Sequence, residues 1–375
     1  MKISSDQFDP SSVTRSHRHV PSEPSTSSVH FAPKLVNPVT KPTIFEVARV
    51  AGVSTGTVSR ALNNRVGVNV DTRARVLEVI EQLGYVPDIG ARQLARRSRT
   101  VIGIARFTNN SLRNPYYTLL VDLIQEALVD AGYVVRILEN DDPGHCAGVI
   151  VPGVHLSDSR PEELRRRKIP FVVISDAENS EHDAWVEVDN RFGMRQVMQH
   201  LIGLGHKRIA HLTGGPIDQT AQVQLETFGQ TAQVRLETYR RVLEESGLEY
   251  DPTLILDGQF SELGGYRAVT QSLEAGLEFT ALACASDEMA LGAMQALEDR
   301  SLRIPQDISV TGFDDLPLEP VRSRLTTVHQ PLRLLGHTAA TIMLELLEGK
   351  PARGQLLPVR LVVRSSSGPV RATKI

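Results

Sequence analysis

The sequence predicts a small all-α headpiece followed by an α/β body made of two parallel, doubly wound lobes. Two observations lead to this fold class. Residues 43–83 hold three short helix-like segments with caps and no strand pattern. From residue 100 onward, short runs of apolar and β-branched residues alternate with helical stretches, which is typical of parallel sheets covered by helices on both faces. A length of 375 residues also exceeds one typical domain.

The first two helices of the headpiece are predicted from their capping residues. Glu46 stands three residues after Thr43, and this capping box predicts a helix over 43–51. Gly52 permits the positive φ of a tight corner. Ser54 is a good N-cap for a second helix that ends at Leu62. This arrangement is a helix-turn-helix unit, the kind of unit that places its second helix in the DNA major groove.

The second helix carries the predicted DNA-reading residues. The small residues at 55–57 allow its N-terminus to approach base edges closely. Arg60 can pair bidentately with guanine, which typically gives about 1–3 kcal/mol of discrimination. An ordinary surface αα-hairpin is the alternative. The DNA-binding residues predicted in this unit are Thr43, Ser54, Thr55, Gly56, Thr57, Ser59, Arg60 and Asn63.

A third helix and a basic segment complete the N-terminal region. The third helix is predicted over about 71–83, with Asn69 as its cap, and Gly84-Tyr85-Val86-Pro87 ends it. Residues 89–97 are basic and can form a helix, but so short a helix is not stable alone. We expect this segment to fold only when it meets DNA and a second copy of the chain.

The charge is distributed unevenly along the chain. The net charge is −3, but residues 34–100 carry +6, residues 1–33 balance, and the remainder carries −9. A compact basic module on an acidic body indicates that the module binds a polyanion, although a solvated basic face is the plainer alternative. Residues 1–40 are rich in Ser, Pro and Thr and are expected to be disordered.

Other functional classes find little support in the sequence. No apolar run approaches 18 residues and no signal peptide is visible, so we expect a cytoplasmic protein with no membrane partner. Cys146 and Cys284 alone do not suggest a disulfide framework. Residues 52–56 match the G-x-S-x-G pattern of serine hydrolases, but that turn must follow a strand, and here a helix precedes it. We therefore expect no catalytic residue, no metal and no cofactor.

The strands of the body follow one another with helical stretches between most of them. Ligand chemistry in such lobes is expected at the carboxyl ends of the strands. The predicted strands are 101–105, 133–138, 148–151, 171–174, 209–212, 254–256, 281–283, 308–312 and 326–329.

Five motifs in a fixed order resemble the lac-repressor/galactose-repressor (LacI/GalR) family of bacterial transcription regulators. The similarity extends from about Pro42 to about Ser367. It implies a body like a periplasmic sugar-binding protein, which holds a small-molecule effector between its lobes. The motifs are AGVSTGTVSRALN (51–63), GYVPDIGARQLARR (84–97), RNPYY (113–117), SDEMALGAMQALEDRSLRIPQDISVTGFDD (286–315) and LTTVHQP (325–331).

The resemblance also implies a division of the chain and a way of binding DNA. Residues 1–40 would be an extension, 41–87 the DNA-binding domain, 88–99 a hinge helix, and 100–375 the domain for effector binding and dimerisation. The chain would bind double-stranded operator DNA as a homodimer, and the tail after Ser367 has no leucine heptads for a tetramer.

The paired hinge segments match helices that enter the minor groove. Ala91, Arg92 and Leu94 match DNA-contacting positions, and Leu94 matches a leucine that unstacks a base step. Asp88 stands where the family usually has Asn, and a carboxylate near phosphates predicts weaker hinge affinity.

The resemblance assigns an effector site as well. Tyr116 and Tyr117 match pocket-wall positions, and Arg235 matches an arginine that hydrogen-bonds the ligand. A sugar needs such directed polar groups together with an aromatic face. Purines and nucleosides also occur as ligands in the family. The remaining matches are Phe260 as an aromatic platform and Ser286 and Asp314 as polar positions.

Two stretches depart from the family pattern. The segment TAQVQLETFGQ (220–230) is repeated as TAQVRLETYRR (231–241), and a helix that absorbed the repeat would lengthen by roughly 16 Å. Between the second and third strands, residues 140–147 replace a helix, although a parallel crossover normally needs a dozen or more residues. We expect a frayed second strand or an uncovered patch in the first lobe.

The sequence therefore predicts a sequence-specific, DNA-binding transcription regulator, a repressor whose operator affinity is controlled by a small molecule such as a sugar. Activation rather than repression stays open. The alternative is a cytosolic sugar-binding module with impaired or no regulatory output, but it leaves residues 43–97 unexplained. An enzyme is a third class, for which the sequence offers no nucleophile with a matching base.

Overall fold

The computed structural model describes residues 42–62, 67–85, 101–105, 114–139, 143–153, 158–175, 183–215, 229–319 and 321–371. The predictions for the 1–40 extension, the hinge segment 88–99 and Asn63 lie outside the described residues. The same is true of Ala91, Arg92 and Leu94 within the hinge, and of Asp88.

The headpiece contains three helices, α1 (Ile44–Ala51), α2 (Thr55–Leu62) and α3 (Val70–Leu83). Thr43 caps α1 through both bonds of the predicted capping box. Asn69 caps α3, since its Oδ1 accepts a hydrogen bond of 2.7 Å from the Thr72 N–H. These are the three predicted helices, and their starts are fixed by side chains within four residues of each cap.

The headpiece core forms because each helix turns one apolar face inward. Val47 of α1, Val58 of α2 and Val76 of α3 are fully buried together. The corner between α1 and α2 is closed by Gly52, whose φ of 66° lies in the left-handed region that glycine adopts without strain. The polar side of α2 is left outside this core.

The first lobe is a six-stranded parallel sheet covered by helices. Its strand order is β11-β5-β4-β3-β1-β2. All the strand pairs in it are parallel. Its elements are β1 (Val101–Ala105), α4 (Pro115–Asp130), β2 (Val134–Leu138), β3 (Gly148–Pro152), α5 (Arg160–Arg166), β4 (Phe171–Ile174), β5 (Ala184–Val188), α11 (Leu332–Leu347) and β11 (Gly354–Leu357).

The second lobe repeats this design. Its strand order is β12-β10-β9-β8-β6-β7, and only β12 pairs antiparallel. Its elements are α6 (Asn190–Gly203), β6 (Ile209–Thr213), α7 (Gly229–Glu245), β7 (Ile255–Asp257), α8 (Glu262–Glu274), β8 (Ala281–Cys284), α9 (Asp287–Glu298), β9 (Ser309–Asp314), α10 (Val321–Arg324), β10 (Thr326–His329) and β12 (Arg360–Val362).

The predicted fold class is confirmed, and each of the nine predicted strands is present within two residues of its predicted ends. The sequence analysis missed β5, β11 and β12. The strand β12 has only three residues, and β11 lies behind a long helix at the far edge of the first sheet. Their pairing partners, rather than their own patterns, define them as strands.

The chain passes between the lobes at three places in the described residues. It leaves the first lobe at Asp189, returns at Gln330-Pro331 and leaves again at Pro358-Val359. Each lobe is therefore built from segments that are not contiguous in the sequence. Residues at these crossings lie where the lobes meet.

The sequence predicted either a frayed second strand or an uncovered patch, and the prediction of fraying is wrong. The strand β2 pairs with β1 along all five residues, from Val101↔Val134 to Ala105↔Leu138. Besides its pairing with β1, β2 is stabilised by Val135 and Ile137, which pack against the hydrophobic core of the lobe. Loss of a crossover helix does not remove that face.

The cover on the other face of β2 is reduced rather than lost. Residues 143–145 form one turn of 3₁₀ helix, which brings the buried Cys146 over the sheet. There Cys146 and Leu138 fill the space above Gly103, where an added Cβ would lie 3.1 Å and 2.6 Å from their side-chain atoms. Val134, which is 40% exposed, and Arg136 remain uncovered at the edge of the sheet.

The second copy of the tandem repeat lies within α7. This helix spans 17 residues from Gly229, and residues 231–241 fall entirely inside it. The first copy up to residue 228 lies outside the described residues, so the predicted helix extension is not tested.

The headpiece contacts both lobes of the body, through α3 and the C-terminal end of α2. Glu81 Oε2 is 2.5 Å from His329 Nε2, and the Gln355 side-chain amide donates to the Leu62 carbonyl. We call this surface the headpiece–body contact; the cleft within it is lined by Leu77, Ile80, Glu81, Tyr85, Pro331, Arg333, Leu334 and His337.

Candidate functional site

The recognition helix α2 presents a polar surface. Its start is fixed by Ser54, whose Oγ accepts a hydrogen bond of 3.1 Å from the Thr57 N–H. Val58 and Ala61 are buried in the headpiece core. Of the predicted DNA-binding residues, Ser54, Gly56, Ser59 and Arg60 are exposed, and Thr55 and Thr57 are half-buried.

Arg60 and Gly56 are neighbours on this surface, one helical turn apart. Arg60 Nε donates to the Gly56 carbonyl at 3.2 Å, which lays the guanidinium along the outside of the helix. A Cβ at Gly56 would meet only Ser54 Oγ at 3.7 Å and Arg60 Nη2 at 4.0 Å, both ordinary contacts. The packing of the headpiece therefore does not require glycine at position 56. A close approach of DNA to this part of α2 would require it.

Thr43 lies at the start of α1 and is exposed. Its N–H and hydroxyl both point to Glu46 Oε2, at 2.7 Å and 3.2 Å. This pairing orders the chain where it enters the helix-turn-helix. The N-terminus of α1 therefore lies at the surface of the headpiece.

The predicted effector residues converge where the two lobes meet, and Arg235 is the most buried of the charged ones. Its guanidinium is 3% exposed and lies 3.5 Å from the centre of the Phe313 ring. It donates to Asn190 Oδ1 at 3.0 Å from Nε and at 2.7 Å from Nη2. It also donates to the Ala285 carbonyl. Arg235 is thus clamped at the first crossing between the lobes.

A chain of hydrogen bonds links the lobes at the second crossing. The Tyr116 hydroxyl on α4 donates to Gln330 Oε1 at 3.0 Å, and Gln330 Nε2 donates to Asp314 Oδ1 at 2.6 Å. Asp314 has a φ of 139° and Asp315 has a φ of 57°. Such backbone is costly for residues other than glycine and is often found at functional sites.

A second link joins the lobes through Asn114. Its side-chain amide donates to Glu288 Oε2 at 2.9 Å and to the Phe260 carbonyl at 3.4 Å. The Phe260 ring lies directly on the backbone of Gly214, where an added Cβ would come within 1.8 Å of a ring carbon. Because Gly214 has no Cβ, the Phe260 ring can lie here, at the contact between the lobes that we call the junction.

Tyr117 and Ser286 have structural partners. The Tyr117 hydroxyl donates to the Ala105 carbonyl at the end of β1, at 3.4 Å. The Ser286 Oγ caps α9 by accepting from the Met289 N–H at 3.2 Å, and the residue is 5% exposed. Four of the six predicted effector residues, Tyr116, Arg235, Phe260 and Asp314, thus contribute directly to the contacts at the junction.

Burial changes the acidity of the carboxyl groups at the junction. It raises the pKa of Asp314 well above its ordinary value; the nearby Asp287 adds to the rise and Arg235 opposes it. Burial likewise raises the pKa of Glu288 to about 7, with a smaller contribution from Glu262. A carboxyl group with a raised pKa can donate as well as accept a hydrogen bond near neutral pH, which suits a ligand with hydroxyl groups.

Sequence reasoning missed several residues of the junction. Asn114, Asn190, Gln330 and Glu288 all bond across the lobes or at a crossing. Gln330 lies in the motif 325–331, directly after a predicted strand. This position could have identified it as a residue of the site. Asn190 follows β5, one of the strands that were not predicted.

The comparison with known proteins gives two family matches, one to each part of the chain. Residues 43–88 match the family described as bacterial regulatory proteins of the lacI family. Residues 198–367 match the periplasmic binding protein-like domain. HTH-type transcriptional regulator CelR of Thermobifida fusca is 32% identical over 342 residues, which cover 87% of this chain and 96% of that protein. The chain belongs to the LacI family of bacterial regulatory proteins.

Other relatives agree with this assignment. The lactose operon repressor of Escherichia coli strain K12 is 30% identical over 87% of this chain and 90% of its own length. GalR of the same organism is 31% identical over 82% of this chain and 90% of its own length. All three relatives are transcriptional regulators rather than enzymes.

Solved structures of the family are similar along most of the chain. The complex of the transcriptional regulator CelR with cellobiose has a TM-score of 0.63 at 31% identity, over 87% of this chain and 99% of that one. The lac repressor dimer bound to operator and the anti-inducer ONPF has a TM-score of 0.62 at 29% identity over the same shares. The two-lobed fold is thus shared with proteins solved on DNA and with a sugar.

Two classes of feature are missing from the described parts of the chain. They contain no helix long and apolar enough to cross a membrane. Nor do they bring three or more His, Cys, Asp or Glu side chains together in a way that could hold a metal ion.

Proposed function

We propose that this protein is a transcriptional repressor that binds operator DNA as a homodimer and changes its operator affinity when a sugar binds between the lobes. One observation carries the DNA-binding part of the proposal. Gly56, Ser59 and Arg60 of α2 are exposed, while its apolar side is buried in the headpiece core. This exposed side of α2 is the surface that would approach DNA.

The effector part of the proposal rests on the junction between the lobes. Tyr116 belongs to the first lobe and Asp314 to the second, and Gln330 connects them. A ligand that replaces or extends this chain of bonds has a different affinity for open and closed arrangements of the lobes. Only such a differential affinity can shift the equilibrium that controls DNA binding.

The chemistry of the junction favours a hydroxylated, uncharged ligand. Tyr116, Asp314 and the Arg235–Asn190 pair provide directed donors and acceptors, and Phe260 adds an aromatic face. Sugar sites combine these two kinds of group. The complex of the relative CelR with cellobiose supports the same class of ligand. Because the target is chromosomal DNA, the protein would act in the cytoplasm, on the nucleoid.

The proposal is tested by titrating the full chain into a fluorescent duplex that carries a palindromic site from upstream of its own gene. At physiological salt, we expect the site to bind about 10³-fold or more tightly than a scrambled duplex of the same length, as is usual for specific complexes. At least one sugar of a panel should change the affinity about fivefold or more. Equal binding to both duplexes would refute the regulatory function.

A sugar-binding module without regulatory output is the competing function. It predicts that sugars bind but that the two duplexes are not distinguished. The exposed polar surface of α2 argues against this function, because a sugar-binding module has no use for it. The packing of the headpiece does not require Gly56 on that surface.

A further inference from the structure

Asn190 occupies a fixed place at the first crossing between the lobes. It is the first residue of α6 and only 2% exposed. The preceding residue, Asp189, is held on both sides. Its N–H donates to the Leu357 carbonyl at 2.8 Å, and its Oδ1 accepts from the Phe192 N–H at 2.8 Å. The backbone at Asn190 therefore has little freedom.

The orientation of the Asn190 amide is decided by its neighbour. The guanidinium group of Arg235 contains only donors, and two of its nitrogens lie at 3.0 Å and 2.7 Å from the Asn190 side chain. Asn190 must therefore direct its oxygen toward Arg235. Its Nδ2 group is forced to point the other way.

The Nδ2 group of Asn190 has no hydrogen-bond partner in the described part of the protein, although it is buried. Leaving a buried donor unsatisfied is unfavourable, and most buried polar groups in proteins are paired. Arg235, in contrast, has a partner for each of its three nitrogens. The unpaired donor at this place is on Asn190, not on the arginine.

The unpaired donor belongs to the same junction as the other polar residues. Arg235, to which Asn190 is bonded, lies close enough to Tyr116 and Asp314 to interact electrostatically with both. Arg235 therefore connects Asn190 with the residues proposed above to bind the effector.

We propose that Asn190 determines ligand specificity: its Nδ2 group donates a hydrogen bond to a hydroxyl or carbonyl oxygen of the effector, while its Oδ1 holds Arg235 in place. This inference rests on the proposed function and deepens it, because it states what the ligand must offer. The effector presents an acceptor oxygen to Asn190. A ligand that has only a donor or a methyl group at that position is rejected.

Asn190→Asp separates the two roles of the side chain. Aspartate keeps an acceptor for Arg235 and adds charge to that bond, but it has no N–H to donate. A purely structural Asn190 would therefore tolerate Asp, whereas a ligand-binding Asn190 would not. Asn190→Ala is the matched control, because it removes both the donor and the support for Arg235.

The test is calorimetric titration of the full chain with cellobiose, galactose, glucose and ribose. For the tightest-binding sugar of this panel, we expect Asn190→Asp to weaken binding about ten- to hundredfold, the equivalent of one lost buried hydrogen bond. Operator affinity without sugar and the melting temperature should stay at the wild-type level. Sugar binding by Asn190→Asp within about twofold of wild type would overturn the inference.

A second measurement compares the wild type with Asn190→Asp, using monodeoxy derivatives of the sugar that binds most tightly. Removing the one hydroxyl that faces Asn190 should weaken binding about tenfold, and the same sugar should lose nothing further in Asn190→Asp. Equal losses in both proteins would contradict the inference alone. If the wild type binds none of the four sugars at millimolar concentration, both the proposed class of effector and this inference fail together.

Discussion

The recognition surface on α2, which we define as the exposed Ser54, Gly56, Ser59 and Arg60, differs from the junction between the lobes in how the chain forms it. The recognition surface comes from one continuous segment and is exposed, and the packing of the headpiece does not require its glycine, Gly56. The junction brings together residues as far apart as Tyr116, which is partly buried, and Gln330, which is buried, and bonds them to one another. A change at Gly56 or Arg60 should therefore alter DNA binding without a loss of stability, while removal of a hydrogen-bonded partner at the junction should alter stability and ligand binding together.

The largest effect is expected from Arg235→Met. This substitution leaves Asn190 Oδ1 and the Ala285 carbonyl without their donor inside the protein. We expect the free energy of unfolding to fall by about 2–4 kcal/mol, because each buried unsatisfied group costs about 1–3 kcal/mol. Urea unfolding measures the loss. Wild-type stability in this variant would break the comparison, since the junction would then be as dispensable to the fold as the recognition surface.

Arg60→Ala tests the opposite side of the comparison. We expect specific operator binding to weaken by about 1–3 kcal/mol because one bidentate contact to a base is lost. The free energy of unfolding should change by less than about 0.5 kcal/mol, as is usual for an exposed side chain. Anisotropy titrations and urea unfolding measure the two quantities. Arg49→Ala, which removes the same charge from α1, is the matched control; an equal loss in both variants would reduce Arg60 to a general electrostatic contact.

Gly56→Ala sharpens the comparison further. Alanine should fit the headpiece and add up to about 1 kcal/mol of stability, because glycine is a poor helix former. Operator binding should nevertheless weaken, since the added Cβ projects from the surface that approaches DNA. Gly203→Ala at the end of α6, where a Cβ meets nothing within 4 Å, is the control for stability without DNA contact. Unchanged operator binding by Gly56→Ala would show that the close approach does not occur at this residue.

The headpiece–body contact predicts a smaller effect that depends on pH. Burial lowers the pKa of His329, but the Asp315 and Glu81 carboxylates outweigh it and raise the pKa to about 9. Arg360 opposes them, and Arg364 is bound to Asp315 at 2.7 Å. Because the folded pKa is above the ordinary value of 6.5, the stabilisation is complete below about pH 6.5 and is lost as the pH rises through about 9.

Thermal unfolding between pH 6.5 and 9.5 measures this loss. Glu81→Gln keeps the size of the side chain and should flatten the upper part of the curve, while Asp315 still holds part of the shift. Identical curves for wild type and Glu81→Gln would mean that the bond between Glu81 and His329 adds nothing to the contact in solution.

The two regions also differ in what the sequence could predict. The headpiece helices were predicted because their caps, such as Thr43 with Glu46 and Asn69 with Thr72, lie within one turn. The partners at the junction are 45 residues apart for Asn190 and Arg235 and 214 apart for Tyr116 and Gln330. No local pattern contains such pairs, so only the family resemblance indicated part of the site.

The strand β2 shows a similar limit on the prediction from chain length. The short connection at 140–147 predicted the loss of a crossover helix, and in its described part residues 143–145 form a single 3₁₀ turn. The expected fraying did not follow, because β2 is held by its pairing with β1 and by the core under Val135 and Ile137. Sequence showed what was missing, but the remaining support for the strand depended on contacts across the lobe.

Selection of bound sites from a pool of random duplexes, with the full chain, tests the central claim most directly. If α2 of two copies reads the major groove, the enriched sites should contain two inverted half-sites. Arg60→Ala should then relax the sequence at one symmetric pair of positions and leave the others unchanged. An absence of enrichment, or enriched sites that Arg60→Ala leaves unaltered, would contradict the claim that this exposed surface reads DNA.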